Sequence, residues 1–475
     1  MTMIAVVLCY FALLFTISRW TGRRATNQTF YRADRQSPWY MVAFGMVGAS
    51  ISGITFISVP GMVNSIGMTY LQTCLGFIVG YAVIAFVLLP LYYRLNLTTI
   101  YSYLGQRIGH RAYKTGASFF LLSKMTGAAV RFYVVCWILM ECGLGSSDWL
   151  FVVIVIVMTV LIWLYTRQGG IKTIVWTDAL QTACLFGALL LIIYKVVGEL
   201  GMTTCDAVDT IRNSGLSRIF VMDDWVSKQY FWKQFLSGAF IAIVMTGLDQ
   251  DMMQKNLTCR SLRDAQKDMC TYGVAFVPAN LLFLSLGVLL TFWYEQQGIV
   301  LPAKGDELLP VFINQITYHS PLVTHLFILG MVAAAFSSAD SALTALTTSY
   351  CVDICGRVDD EHLRRRVHIG MSVVFVIFIL LFKLLNSTSV IDAIYILCSY
   401  TYGPLLGLFA FGLLTKRQTN DCFVPYICVA SPIVCYLLDM VVGQLTGYRF
   451  GYELLMLNGL LTFFGLCLFK RKSHF

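Results

Sequence analysis

The sequence predicts an all-helical protein that crosses a membrane many times, and three observations carry that prediction. Of its 475 residues, 58% are hydrophobic and only 12% are charged, about half the charged share of an ordinary soluble domain. The mean hydropathy is +0.72. The apolar residues fall in unbroken runs, such as Met3–Ile17, Phe151–Leu164, Ala183–Val197, Val373–Phe382 and Leu454–Phe469. Such runs approach the ~20 residues that span a hydrocarbon core. They show no period of two, so helices are favoured over a β-barrel, the other architecture that satisfies its backbone groups inside lipid.

About thirteen spans are expected, at 3–18, 38–66, 68–93, 114–143, 148–165, 171–198, 230–250, 271–294, 322–352, 367–385, 389–414, 423–442 and 449–469. The basic residues between them set a side, because Lys and Arg collect on the cytoplasmic face. With the tail Lys470-Arg471-Lys472 inside, alternate loops working backwards are also inside. They hold Lys416 and Arg417; Arg357 and Arg364–Arg366; Lys255, Arg260, Arg263 and Lys267; Arg167 and Lys172; Arg94, Arg107, Arg111 and Lys114; and Arg19, Arg23, Arg24, Arg32 and Arg35. The split is 24 basic residues inside against 8 outside. It implies an odd number of spans, with the N-terminus outside and the C-terminus cytoplasmic.

The net charge of +9 does not indicate nucleic acid, since the basic residues sit in short loops and not on one soluble face. The 15 cysteines are scattered through apolar runs without metal spacing and read as small buried hydrophobes. The N-terminal apolar stretch lacks a basic n-region and a cleavage site, so it reads as a retained helix. The longest outside loop, about 199–229, is too short for a soluble domain.

Chemistry concentrates in a few segments. Gly45-Met-Val-Gly-Ala-Ser-Ile-Ser-Gly53 lies midway along the second span, with Pro60-Gly61 beyond it. Small residues at that density either pack helices closely or break one, freeing carbonyls for an ion at the midplane. Ser337, Asp340, Ser341, Thr344 and Thr348 recur at helical spacing and form one polar stripe. Back-bonding explains the hydroxyls but not Asp340, and the stripe's oxygens suit a hard cation. Asp178 follows Gly170 closely; it either caps a helix start or completes an ion site. Arg131 lies near mid-span, where an arginine is by default functional. It either binds a carboxylate ligand or pairs with an internal acid such as Asp340 or Glu141. Lys124, nearer a span end, reads as snorkelling. Asp249-Gln250 and Gln254 close the seventh span.

Taken together, these segments resemble the solute:sodium symporter family, carriers of sugars, proline, iodide, monocarboxylates and sialic acid. Gly170…Thr177-Asp178-Ala-Leu-Gln181 resembles the family's glycine pair and TDxxQ pattern. Asp249-Gln250-Asp-Met-Met-Gln254-Lys255-Asn-Leu resembles DQxxxQRxL, with Lys255 in place of arginine. Ser337-Ser338, through to Val352-Asp353-Ile354, and Gly403-Pro404-Leu-Leu-Gly407 match two further stretches.

The resemblance implies a LeuT-like 5+5 inverted repeat. Residues 1–37 form an extra helix and loop, 38–198 the first repeat, 199–229 an outer loop, 230–414 the second repeat, and 415–475 two further helices and a tail. It implies a main sodium site at the backbone carbonyls of Gly48, Ile51 and Ala334 and the hydroxyls of Ser337 and Ser338. A second cation or proton site falls at Asp178, Asp340 and Ser341. It implies solute contacts at Ser50, Ser52, Thr55, Gln72 and Arg131, with Met245, Thr246 and Ala242 where sugar carriers have an aromatic gate and an asparagine. The expected activity is sodium-coupled import by alternating access, not enzyme chemistry. The solute is a small organic anion, with sialic acid or another sugar acid first; a neutral sugar or amino acid, or proton coupling, are the alternatives. No cofactor is expected besides sodium as coupling ion, and the partners are solute, sodium and the bilayer, without nucleic acid. A monomer in a bacterial inner membrane is expected.

Overall fold

A computed structural model describes residues 3–23, 25–140, 147–316, 321–385, 390–446, 448 and 450–469. Arg24, Glu141 and the basic tail at 470–472, all used in the sequence reading, lie outside these residues. The described residues contain helices and no strand, with one isolated bridge between Ser37 and Cys259.

Helix α1 (Met3–Thr21) leads to the short α2 (Asn27–Arg32), which Thr26 and Thr29 start with a capping box. Helices α3 (Trp39–Ser50) and α4 (Gly53–Ile66) follow, and α5 (Tyr70–Val83) runs through a π-turn at Ile84–Leu88 into α6 (Leu89–Arg94). Then come α7 (Ser102–Arg107), α8 (His110–Leu139), α9 (Asp148–Thr166) and α10 (Ile171–Glu199). Gly170, at φ +50, makes the turn into α10, a conformation open to glycine. Helix α11 (Thr204–Asn213) precedes α12 (Phe231–Ala242), a π-turn at Ile243–Gly247 and α13 (Gln250–Asn256). The chain ends with α14 (Leu262–Gln297), α15 (Leu308–Ile316), α16 (Pro321–Ser349) with a π-turn at Tyr350–Ile354, α17 (Glu361–Leu385), α18 (Val390–Leu414), α19 (Val424–Thr446) and α20 (Leu454–Leu468).

Eight described helices are long and apolar enough to cross a membrane, and two bent pairs pass as single spans. The first pair is α3 and α4, bent by 59°. Glycine and serine weaken the helix there. The backbone leaves it at Ile51 (φ −83, ψ 83) and Ser52 (φ −70, ψ 167) and resumes at Gly53. The same segment packs tightly: a β-carbon on Gly48 would overlap the Thr182 hydroxyl of α10. Close packing and breakage, alternatives in the sequence, therefore occur together. The second bend, of 71°, falls between the π-turn and α13. It corrects the expected span at 230–250: Asp249 does not close a helix but caps a new one, accepting from the Asp251 N–H at 2.8 Å.

Helix α10 packs between α3 and α16; α12 lies on α5, α14 on α3, α4 and α5, and α18 on α8 and α20. The helix containing α16 is the most enclosed long span, with 72% of its apolar window buried against 17% for α19. That places the Ser/Thr stripe at the centre and α19 at the rim, where Ile433, Val434 and Leu437 are exposed as a lipid-facing surface requires. The basic loops are tied to each other at one end of the bundle. Lys114 donates to the Asp353 and Ile354 carbonyls, both at 2.6 Å, and Arg107 to the Gly412 carbonyl at 3.1 Å.

Gly48→Ala is expected to force α3 from α10 at a cost of about 1–3 kcal/mol, the range for overpacking a close contact. The apparent Tm of the detergent-purified protein should fall, and Thr182→Ala in the same chain should recover only part of the loss, because the Thr182 Cβ and Cα also crowd the added carbon.

Candidate functional site

The break between α3 and α4 leaves the last α3 carbonyls without a next turn to bond. The final bond of that ladder runs from the Ile51 N–H to the Val47 carbonyl at 3.1 Å. Beyond it, the Ser338 hydroxyl of α16 reaches the Ala49 carbonyl at 3.5 Å. Gly48, Ile51, Ala334 and Ser337 are all buried. So α3 and α16 bring the residues named for the main cation site to one region.

Ser337 also reaches across to α10. Its hydroxyl donates to Asp178 Oδ1 at 2.6 Å, and the other Asp178 oxygen lies 2.8 Å from Lys255 Nζ. Asp178 does not cap α10. It stands two turns inside the helix, 1% exposed. Lys255 is not in a basic loop either: it is 1% exposed and reaches inward from α13. Asp340 accepts from Tyr165 at 2.5 Å and from its neighbour Ser341 at 3.3 Å. It does not pair with Arg131, and among the described residues no base lies within ion-pair distance of it. Ser341 therefore follows Asp340, not Asp178.

Lys124 does not snorkel. The second bend turns two carboxylates toward it, and its ammonium lies 2.7 Å from Asp251 and 3.2 Å from Asp249. Tyr402 donates to Asp249 at 2.5 Å. This cluster lines one end of a cavity that borders the first break. Ser50, Ser52, Thr55 and Arg131 line the same cavity. Ser50 bonds the Tyr272 hydroxyl at 2.6 Å, and Tyr81 donates to Tyr272 at 2.8 Å. Among the described residues Arg131 forms no ion pair and no hydrogen bond, although it is half-buried. Ala242, Met245 and Thr246 are lining residues too, and the aromatic surface comes from Tyr70, Phe77, Tyr81, Tyr272 and Phe276.

Gln72 is not brought to the cavity. Its side chain donates to the Gln229 and Thr69 carbonyls and accepts from the Val221 N–H at 3.1 Å, which anchors the 199–229 segment. The sequence reading missed Tyr81, Tyr272, Tyr402, Asp251 and the true partners of Lys124. The nearest signal was two acids at 249 and 251 beside a region already marked as polar.

A model of the sodium:solute symporter family matches residues 30–422. The sodium/sialic acid symporter SiaT of Proteus mirabilis is 24% identical over 455 residues, 90% of this chain and 87% of that protein. The human sodium/iodide cotransporter is 23% identical over 85% of this chain and 65% of its own length. Among solved structures, a substrate-bound, outward-open Na+-coupled sialic acid symporter superposes with a TM-score of 0.81 at 20% identity, covering 98% of this chain and 97% of that one. Mhp1, a nucleobase-cation symporter, superposes with a TM-score of 0.59 at 15% identity over 93% of this chain and 92% of that one.

Gln72→Ala removes bonds worth about 1 kcal/mol each. Limited proteolysis should cut the 214–229 segment roughly tenfold faster, with the solute half-saturation concentration moving less than about twofold. A large loss of solute affinity would instead return Gln72 to the solute site.

Proposed function

The chain belongs to the sodium:solute symporter family, and from that premise we propose that it imports a small organic anion, a sugar acid such as sialic acid, together with sodium. The observation that carries this reading is the first broken helix. It ends α3 and starts α4 at the edge of one cavity, whose wall also holds Arg131, an arginine with no ion pair or hydrogen bond among the described residues. A helix C-terminus carries partial negative charge and an N-terminus partial positive charge. The end of α3, with the carbonyls of Gly48 and Ile51, that of Ala334 and the hydroxyls of Ser337 and Ser338, holds the sodium. The start of α4, with Ser52 and Thr55, faces a carboxylate as helix N-termini do. Arg131 supplies the fork, and Ser50 and the tyrosine hydroxyls meet the solute's polar groups. The relatives named for sialic acid support the sugar-acid class.

In this reading residues 38–198 and 230–414 are the inverted repeats. The two bent pairs stand at the same place in each, and α1, α19 and α20 complete about thirteen spans. The N-terminus is outside and the C-terminus cytoplasmic, in a bacterial inner membrane, and one chain suffices for transport. Sodium joins α3 to α16, which stabilises the state open to the outside. Solute binding then closes the cavity, and the linkage between the two ligands is reciprocal.

The test is uptake into proteoliposomes with and without an inward sodium gradient, using labelled N-acetylneuraminate beside glucose, proline and lactate. Sodium-dependent uptake of the sugar acid alone is expected; sodium-dependent uptake of a neutral solute would remove the role of Arg131. Ser338→Ala should raise the half-saturating sodium concentration about tenfold, the loss of roughly one ligand bond. Unchanged sodium dependence in both Ser337→Ala and Ser338→Ala would exclude the site. Arg131→Ala should lower anion uptake on the order of 100-fold, as expected for a charged bond left unmade, while sodium binding persists.

A further inference from the structure

The cavity has two polar ends, and the solute reading above uses one of them. Arg131 and Lys124 both lie on α8. Their spacing is about two helical turns, so they stand on one face with their backbones about 10 Å apart along it. Gly127 and Ala128 lie between them with almost no side chain, and all four residues line the cavity. A β-carbon added to Gly127 would meet no atom within 4 Å. The space beside α8 therefore stays open between the two cations.

The two ends differ in what they lack. At the first, Arg131 is a donor without an ion pair or hydrogen bond among the described residues. At the second, Lys124 is shared by two carboxylates, at 2.7 Å from Asp251 and 3.2 Å from Asp249. Asp249 has further donors, the Tyr402 hydroxyl at 2.5 Å and the Asp251 N–H at 2.8 Å. Asp251 does not. Its Oδ2 faces Lys124, whereas its Oδ1 has no hydrogen-bond partner among the described residues. Lys255, one turn further along α13, is held by Asp178 at 2.8 Å. Asp251 is 4% exposed and is a lining residue of the cavity. A buried carboxylate oxygen without a donor is costly, and a solute in the cavity can supply the donor.

We propose that Asp251 determines specificity by accepting hydrogen bonds from a hydroxylated tail of the solute, while Arg131 holds the carboxylate at the other end. The proposal rests on the sugar-acid reading and narrows it to an elongated, two-ended solute that reaches from Arg131 past Gly127 to the second bend. A short acid such as lactate meets the first end alone. A neutral sugar meets the second end alone. A sugar acid with a hydroxylated side chain meets both. Hydroxyl-to-carboxylate bonds are short and strong, and a site built to bond a hydroxyl rejects the analogue that lacks it. A bound solute then links α8 to α13, as sodium links α3 to α16.

The deciding measurement is sodium-driven uptake by the full-length protein in proteoliposomes, with two solutes compared. One is N-acetylneuraminate. The other is its tail-shortened analogue, made by mild periodate cleavage and borohydride reduction, which removes the outer carbons of the side chain and their hydroxyls. On the wild type, N-acetylneuraminate should half-saturate uptake at a concentration at least about tenfold lower than the analogue, the lower bound for a bond to a charged group. In Asp251→Ala that ratio should fall below about twofold. Asp251→Asn keeps the side-chain shape and the Lys124–Asp249 contact, and its ratio should lie between the two. Both solutes are measured on the same protein, so a lower yield of folded carrier cancels from the ratio. A wild-type ratio near one overturns the proposal and leaves the sugar-acid reading standing. A wild-type ratio preserved in Asp251→Ala also overturns it. If Asp251→Ala takes up neither solute, Asp251→Asn decides, and an unchanged ratio there overturns the proposal. If the wild type takes up neither sugar acid, the sugar-acid reading fails and the proposal falls with it.

Discussion

A carboxylate in the middle of an apolar bundle must be neutralised and bonded where it stands, and Asp178 imposes that demand on three helices at once. It sits on α10 with one oxygen facing the Ser337 hydroxyl of α16 and the other facing the Lys255 ammonium of α13. Breaking such a pair by removing one partner costs about 3–5 kcal/mol, because a buried charge is left behind. The contact therefore fixes the distance between α10 and α16 and requires α13 to turn inward. The second bend follows from that requirement: a straight continuation of α12 would not bring residue 255 back to α10. The same turn aims Asp249 and Asp251 at Lys124, so two buried ion clusters depend on one change of direction.

The two bends are satisfied in different ways. At the second, tyrosine hydroxyls take the freed backbone: Tyr92 donates to the Gly247 carbonyl at 2.9 Å and Tyr101 to the Leu248 carbonyl at 2.8 Å. At the first, the Ser338 hydroxyl reaches the Ala49 carbonyl at the long distance of 3.5 Å. In a membrane interior unmet carbonyls are costly. The second bend is thus a finished structural joint, whereas the first keeps carbonyls that side chains of the described residues close only loosely.

Much of this was legible in the sequence because composition and periodicity report environment. Apolar runs marked the spans, Gly45–Gly53 marked the break, and the spacing of Ser337, Asp340, Ser341 and Thr344 marked a face that avoids lipid. What periodicity cannot report is the partner across the interface. Lys124 and Lys255 looked like loop and span-end bases because the bend at 248–249 carries no glycine-serine cluster like the first; only Gly247 precedes it. Once that turn is missed, both lysines lose their acids. Gln72 has a similar history. It lies on a helix beside the cavity, but a side chain with two donors and an acceptor suits loop backbone as well as a solute, and the 199–229 segment meets it first. The tyrosine hydroxyls of the cavity were invisible for a simpler reason: tyrosine is common in apolar spans, and which ring turns inward depends on tertiary packing.

The Asp178–Lys255 contact also has a consequence for how the chain is made. Synthesis delivers α10 to the membrane well before α13 exists, and its Ser337 partner comes later still. Until then the nascent first half carries a charged group with nothing to compensate it, a poor resident of lipid. Stable integration of α10 must wait for helices from the second half, and the polar stripe of α16 must wait for α10. The two halves are mutually dependent for insertion, so neither is expected to persist as a half-molecule, and the bundle assembles as one cooperative unit after its central helices have all arrived.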